Sequence, residues 1–349
     1  MACYEHLLGT KKKNTTSIVA QRSDDPIVYH RGIVRCLLND GHFASALNYV
    51  AGAKTTSSLS AYAMEAAWQL GRWDILKSYH ETANENKTNV TKESHETYAT
   101  AHTRALLCLR EKKFKACKIA IREARLVAIQ RLAISCAESY SRAYPEMLHL
   151  HAIRDIEYAL RIVESGENDD YYLQSQRRRL GITMHDMSRQ ELIAHSRVLR
   201  RICGGDDSKE GQSWLQAAEL ARKSRRFQFA SKALLNASAF ASISKSFAIK
   251  LRIERAELLY GQDQVRRALL ELEPLCIRNV GGDEKHEQAR ALLLYTEWQQ
   301  RSGRTQGEGV IYQYKQVLKW RNDWARAHFC LGNYYDWLLM QRLKDEQKS

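Results

Sequence analysis

Residues Trp214 to Ala237, WLQAAELARKSRRFQFASKALLNA, carry two apolar stripes at helical spacing with a charged turn between them. Trp214, Ala217, Ala218 and Ala221 share one face of the first half; Phe227, Ala230, Ala233, Leu234 and Ala237 share one face of the second. Isolated helices of about 12 residues are marginal in water, so each half needs neighbours on which to bury its stripe. Asp207 followed by Glu210 has the spacing of an N-terminal cap for the first half. A pair of this kind constrains the whole chain, because it predicts further pairs stacked on it.

Further pairs are present. Gly41 and Gly71 end helical segments, since glycine takes the left-handed conformation at little cost, and Phe43 and Trp73 open the next segments two residues later. Lys112 with Phe114, Arg225 with Phe227 and Asp263 with Val265 occupy the same places. Five residues after each turn stands a small or apolar residue: Ala46, Leu76, Cys117, Ala230 and Ala268. Turn spacings of 30, 41 and 38 residues, with one gap of 113, match helical-hairpin solenoids of the tetratricopeptide and HEAT kind. The chain is predicted to be all-α, an α-solenoid of such hairpins, and its three prolines in 349 residues suit long helices. Gly41, Phe43, Trp68, Gly71, Trp73, Phe114, Trp214 and Phe227 are expected to be structural anchors.

The domain expected from these patterns runs over residues 25–343, with a joint near 203–212 at GGDDSKEG, a poorly defined segment 1–24 before it and a polar tail 344–349 after it. Thr82 to Glu93 and Val280 to Lys285 are predicted loops. The middle, Ile119 to Ile202, is predicted helical with interruptions at Tyr144-Pro145 and at Gly166 to Asp170, and a hairpin is expected to close at Pro274.

Lys and Arg outnumber Asp and Glu, 54 to 40, a formal charge of +14. This balance is compatible with nucleic acid, acidic protein or membrane headgroups as partners. Arg177, Arg178, Arg179, Arg200, Arg201, Arg222, Lys223, Arg225 and Arg226 form the candidate basic surface, which could follow a phosphate backbone. Against that, the aromatic residues sit on the apolar stripes, away from any base that could stack on them. No stretch approaches the ~20 apolar residues of a membrane span, so no membrane partner is expected. Eight scattered cysteines without a CxxC read as reduced, small hydrophobes.

The sequence holds no phosphate-binding glycine loop, HExxH, GxSxG, HRD or DFG. His149 and His151 are two apart and point to different faces of a helix, and His185 and His195 are no better placed, so no metal or cofactor is expected in these residues. No catalytic residue is assigned.

Five stretches in order carry a resemblance: Glu65 to Leu76, Ser139 to Leu160, Arg178 to Ile202, Ser213 to Ala237 and Tyr314 to Leu339. They resemble the FAT region of phosphatidylinositol-3-kinase-related protein kinases, in the ATR-like, DNA-damage checkpoint branch. The resemblance implies a helical scaffold that clamps and regulates a kinase domain by contact, acts in the nucleus, and belongs to a serine/threonine kinase using ATP and a divalent metal in a domain these residues do not include. It also implies the parent's kinase domain, an ATR-interacting protein and self-association as partners. A free-standing basic helical-repeat protein binding nucleic acid or protein is the alternative.

Overall fold

The computed structural model describes residues 26–53, 56–85, 94–166, 169–183, 186–204, 207–277 and 284–346. The segment 1–24, His185 and the greater part of both predicted loops lie outside them. Among the described residues there are sixteen helices and no strand. They form two compact units, 1–206 and 207–349.

In the first unit the helices are α1 (Pro26–Asn39), α2 (Phe43–Gly52), α3 (Thr56–Leu70), α4 (Trp73–Glu85), α5 (Ser94–Arg110), α6 (Phe114–Glu138), α7 (Tyr140–Ser165), α8 (Asp169–Ile182) and α9 (Asp186–Cys203). From α1 to α7 each helix packs on the next, and the odd-numbered ones also touch each other, α1 on α3, α3 on α5 and α5 on α7. Helix α9 lies against α7 and returns to α3. One continuous core follows, from Ile33 and Val34 on α1 through Trp68 and Leu106 to Leu199.

The second unit contains α10 (Asp207–Lys223), α11 (Phe227–Ser238), α12 (Lys245–Gly261), α13 (Val265–Ile277), α14 (Lys285–Arg301), α15 (Glu308–Trp320) and α16 (Ala325–Glu346). It is an all-α stack of hairpins in which α12 and α14 are shared between successive cores. Leu251 and Leu258 of α12 pack toward α11, while Ile249, Ile253 and Ala256 of the same helix pack toward α13 and α14. A helix buried on several faces has no single apolar stripe, whereas α11 buries only Ala230, Ala233, Leu234 and Ala237 on one side.

The predicted turns share one geometry. At Gly41 the amide donates to Leu38 C=O, and the next amide, of His42, donates to Leu37 C=O at 2.8 Å. Gly71, Lys112, Arg225 and Asp263 repeat this pair of hydrogen bonds, and all five turn residues have φ between 56° and 75°. This left-handed closure satisfies the carbonyls at a helix end. Phe43, Trp73, Phe114, Phe227 and Val265 are then the first residues of α2, α4, α6, α11 and α13, and Ala46, Leu76, Cys117, Ala230 and Ala268 are all fully buried. Gly303 makes a sixth such turn before α15, which the sequence pattern did not expose.

Several boundaries differ from expectation. The interruption at Tyr144-Pro145 falls instead at Ser139, whose side chain caps α7 by accepting from the Arg142 amide at 3.3 Å. Pro145 lies inside α7, where its missing N–H leaves only the Ser141 carbonyl without its usual partner. Pro274 likewise lies inside α13, which runs on to Ile277. Thr82 to Glu85 are the last turn of α4 and Lys285 opens α14. Helix α10 begins at Asp207, so the predicted joint is helical from that residue and Asp207 is not an N-cap outside it. Lys344 to Glu346 continue α16 into the expected tail, and an unforeseen break after Ile182 separates α8 from α9.

Candidate functional site

The anchor residues lie where hairpins meet. Trp68 is buried in α3, and Phe43, Trp73 and Phe114 pack half-buried on the same core. The Arg110 guanidinium lies 5.0 Å from the Trp73 ring, a cation–π contact across the α4–α5 side of the turn. Trp214 and Phe227 pack on the core of the opening hairpin of the second unit.

Three of the basic residues that the sequence grouped together, Arg179, Arg200 and Arg222, have partners inside their own units. Arg179 pairs with the buried Asp155 and donates to His151 C=O at 3.1 Å, while Arg200 donates to Gln176 Oε1 at 3.1 Å and Ser196 Oγ at 3.2 Å. Arg222 pairs with Glu254, at 2.5 Å, and with Glu257. These three guanidiniums turn inward because buried carboxylates and amides need a partner more than solvent does. Lys223 pairs with Glu219 at 2.8 Å and Arg226 lies 5.5 Å from the Phe229 ring. Arg178, Arg201 and Arg225 are exposed, and the side chain of Arg177 lies outside the described residues.

In the second unit these pairs link alternate helices. Arg222 on α10 reaches Glu254 and Glu257 on α12, Arg290 on α14 reaches the same Glu257 at 2.9 Å, and Arg326 on α16 reaches Glu297 on α14 at 3.1 Å. Burial pushes the Glu254 carboxyl up and Arg222 draws it back.

The first unit holds a convergence that the sequence did not reveal. His102 on α5 and His195 on α9 meet with their Nε2 atoms 2.9 Å apart, so one imidazole donates and the other accepts. Tyr98 stacks on His149 of α7 with ring centroids 3.8 Å apart, and Trp68 meets His195 edge-on at 5.5 Å. Glu146 accepts from His149 at 3.1 Å and pairs with Arg131 at 2.9 Å; His195 Nδ1 lies 3.9 Å from Asp155 Oδ2. A cavity of about 100 Å³ lies among these rings, with Glu65 of α3 and Glu191 of α9 at its edge. Desolvation holds the His102 imidazole well below its usual range, with repulsion from His195 and His149 adding to it. Desolvation also pushes the Glu65 carboxyl up to about 8, helped by Glu191 and opposed by Arg35.

His195 was not expected to meet another histidine and His102 was not singled out at all. Their partners come from α3, α5, α7 and α9, so no local spacing could announce them. The described residues bring no three His, Cys, Asp or Glu groups into a metal-binding arrangement. The cluster joins four helices through aromatic and hydrogen-bonded contacts. The described cysteines are free; burial pushes the Cys117 and Cys276 thiols up to about 12, which makes them poor nucleophiles.

Comparison with known proteins places this architecture. The family model described as the FAT domain matches residues 60–349. The serine/threonine-protein kinase ATR of Arabidopsis thaliana is 26% identical over 92% of this chain, and that of Oryza sativa subsp. indica is 24% identical over 94%. Serine/threonine-protein kinase MEC1 of Eremothecium gossypii is 24% identical over 56%. The chain spans 13% and 14% of the two plant proteins and 7% of the fungal one, and the matched stretch is FAT-domain sequence without kinase motifs. A family match over more than four-fifths of the chain, on an all-α stack of hairpins, identifies the protein as a member of the FAT domain family, the helical region of phosphatidylinositol-3-kinase-related protein kinases.

Proposed function

We propose that this chain is the helical regulatory segment of an ATR-like serine/threonine kinase and acts by contact, clamping the kinase domain and biasing it between states. The observation that carries this is the order-preserving similarity of nearly the whole chain to plant ATR. Stacked hairpins joined by tight turns behave as rigid units with small movements at each interface, which is the mechanical property such a role needs. On this reading ATP and a divalent metal are bound by the kinase domain, not by these residues. The work is nuclear, in the DNA-damage and replication checkpoint, and an ATR-interacting protein and a second copy are further partners.

The nucleic-acid alternative is weakened because Arg179, Arg200 and Arg222 are held in internal pairs. The test is to express the chain with the separately produced kinase domain of Arabidopsis thaliana ATR. Co-purification together with a change in phosphorylation of a Ser-Gln peptide is expected. A kinase domain that neither binds the chain nor changes its rate in its presence would refute the reading.

A further inference from the structure

Helix α6 is apolar on two sides. One side, with Cys117, Ala120, Ile121, Ala124 and Ala128, is buried in the core of the first unit. On the opposite side Lys115, Ile119, Arg122, Leu126, Ile129 and Ala133 recur every three or four residues as one row, and all six are exposed. Ile119, Leu126 and Ile129 are 55%, 60% and 47% exposed, so this row is no part of the core. Single apolar residues are ordinary on a surface, but a contiguous row of them marks an interaction site. Helix α4 holds the same place in the preceding hairpin, and its outward row is Asp74, Lys77, Ser78 and Glu81. Hairpin stacking therefore does not call for aliphatic side chains on the outside of α6.

The charge left over beside the row is positive. The carboxylates nearby are already taken: Glu123 by Arg104, Glu164 by Lys118 at 2.8 Å, and Glu157 by both Arg125 and Arg154. Lys115, Arg122 and, on α7, Arg161 make no ion pair among the described residues. Arg122 and Arg161 line, from their two helices, a groove of about 390 Å³ between α6 and α7. A bilayer surface does not fit this face, because Arg122 stands within the apolar row, where an interfacial helix is clear of charge. Nucleic acid does not fit it either, because the row has no aromatic ring on which a base could stack. A further helix fits: its apolar residues pack along α6 as ridges into grooves, and carboxylates beside them meet the unpaired cations.

We propose that the outward face of α6 docks an acidic amphipathic helix of a partner protein, with Leu or Ile side chains against Ile119, Leu126 and Ile129 and a carboxylate facing Arg122. From Lys115 to Ala133 the row is about 27 Å long at about 1.5 Å per residue, which matches a partner helix of about 18 residues. Such docking is independent of the kinase-clamping role.

The test selects, on the full 349-residue chain, a display library of helical peptides of about 18 residues with Leu at the apolar spacing and the other positions randomised. Selected peptides are expected to be rich in Asp and Glu. Two variants at exposed positions read the two halves of the interface: I119S/L126S keeps every charge, and R122E/R161E keeps the apolar row. Each should bind a selected peptide at least tenfold more weakly at an unchanged melting temperature, and replacing two of the peptide's Glu by Lys should restore binding to R122E/R161E. R266E/R267E, which makes the same charge change at exposed positions of α13, should bind as the natural chain does. The proposal fails if no acidic peptide is selected, if either α6 variant binds as well as the natural chain, if the α13 variant weakens binding equally, or if the Lys peptide rescues nothing. It also fails if the face is instead covered by a second copy, seen as a dimer in sedimentation that I119S/L126S abolishes, or if phosphatidylserine vesicles or single-stranded DNA bind through it and peptides do not.

Discussion

At the scale of single residues, packing overrides propensity at Gly211. A glycine within a helix costs about 1 kcal/mol relative to alanine, so Gly211→Ala would stabilise α10 if there were room. There is none: an added Cβ would lie 2.9 Å from Phe240 Cβ and 3.1 Å from Phe247 Cζ. Overpacking of this kind costs about 1–3 kcal/mol, so a net loss of about 1 kcal/mol is expected, read as a lower denaturation midpoint of the second unit. Glu65 makes the matching electrostatic case. Its carboxyl is held up to about 8 in the folded chain against an ordinary value near 4.5. Between those pH values the native state binds more protons than the unfolded one, so this group's contribution falls as pH rises through the window. Glu65→Gln does not titrate; its gain over the natural protein should therefore grow between pH 5 and pH 9, measured as amide-exchange protection in α3 and α5. His102 acts in the opposite sense. With its imidazole held down by burial, the unfolded chain takes up a proton below about pH 6.5 that the native cluster refuses, and stability falls on acidification.

At the scale of elements, the recurring device is the left-handed turn between hairpin helices. Lys112 and Arg225 adopt φ of 56° and 57°, a conformation that costs an L-residue roughly 1–2 kcal/mol. Glycine avoids that strain and loses about 0.5–1 kcal/mol to chain entropy. Lys112→Gly and Arg225→Gly should each stabilise their unit by roughly 0.5–1 kcal/mol, and Gly71→Ala, by the same two opposing effects, should cost roughly 0.5–1 kcal/mol, all checked by urea midpoints. These turns were legible in the sequence because the left-handed residue, the helix-opening residue two later and the buried residue five later keep fixed offsets. Gly303 was not, because α15 opens only at Glu308, five residues after the turn instead of two. Pro145 and Pro274 misled for a related reason: loss of one intrahelical bond is tolerated where the rest of the helix is packed. The histidine cluster was hidden altogether, since it is assembled from four helices by tertiary packing.

At the scale of the whole molecule, the number of independent bodies becomes a question of where the apolar cores close. The core of the first unit is built from residues between Ile33 and Cys203. The three cores of the second are built between Trp214 and Leu338, and they are chained to one another by α12 and α14, each of which gives one face to one core and another face to the next. Ion pairs reinforce the same chain, with Glu257 on α12 shared by Arg222 and Arg290. A segment that closes its own cores in this way has the size and the organisation of an ordinary domain. Residues 207–349 expressed alone should therefore fold, giving a helical circular-dichroism spectrum, one cooperative thermal transition and the same amide-exchange protection along α12 and α14 as in the full chain. If that piece is instead unfolded, then its stability depends on residues before 207 and its own cores are insufficient. In the same piece, Arg222→Ala separates the two outcomes at the level of a single contact. It leaves Glu254 buried without its cation and should cost roughly 3–5 kcal/mol, because breaking one side of a buried pair strands the other charge. A loss of that size shows that the ladder joining α10 to α12 forms in 207–349 without the first unit, whereas a loss near zero would mean that α10 is not docked there at all.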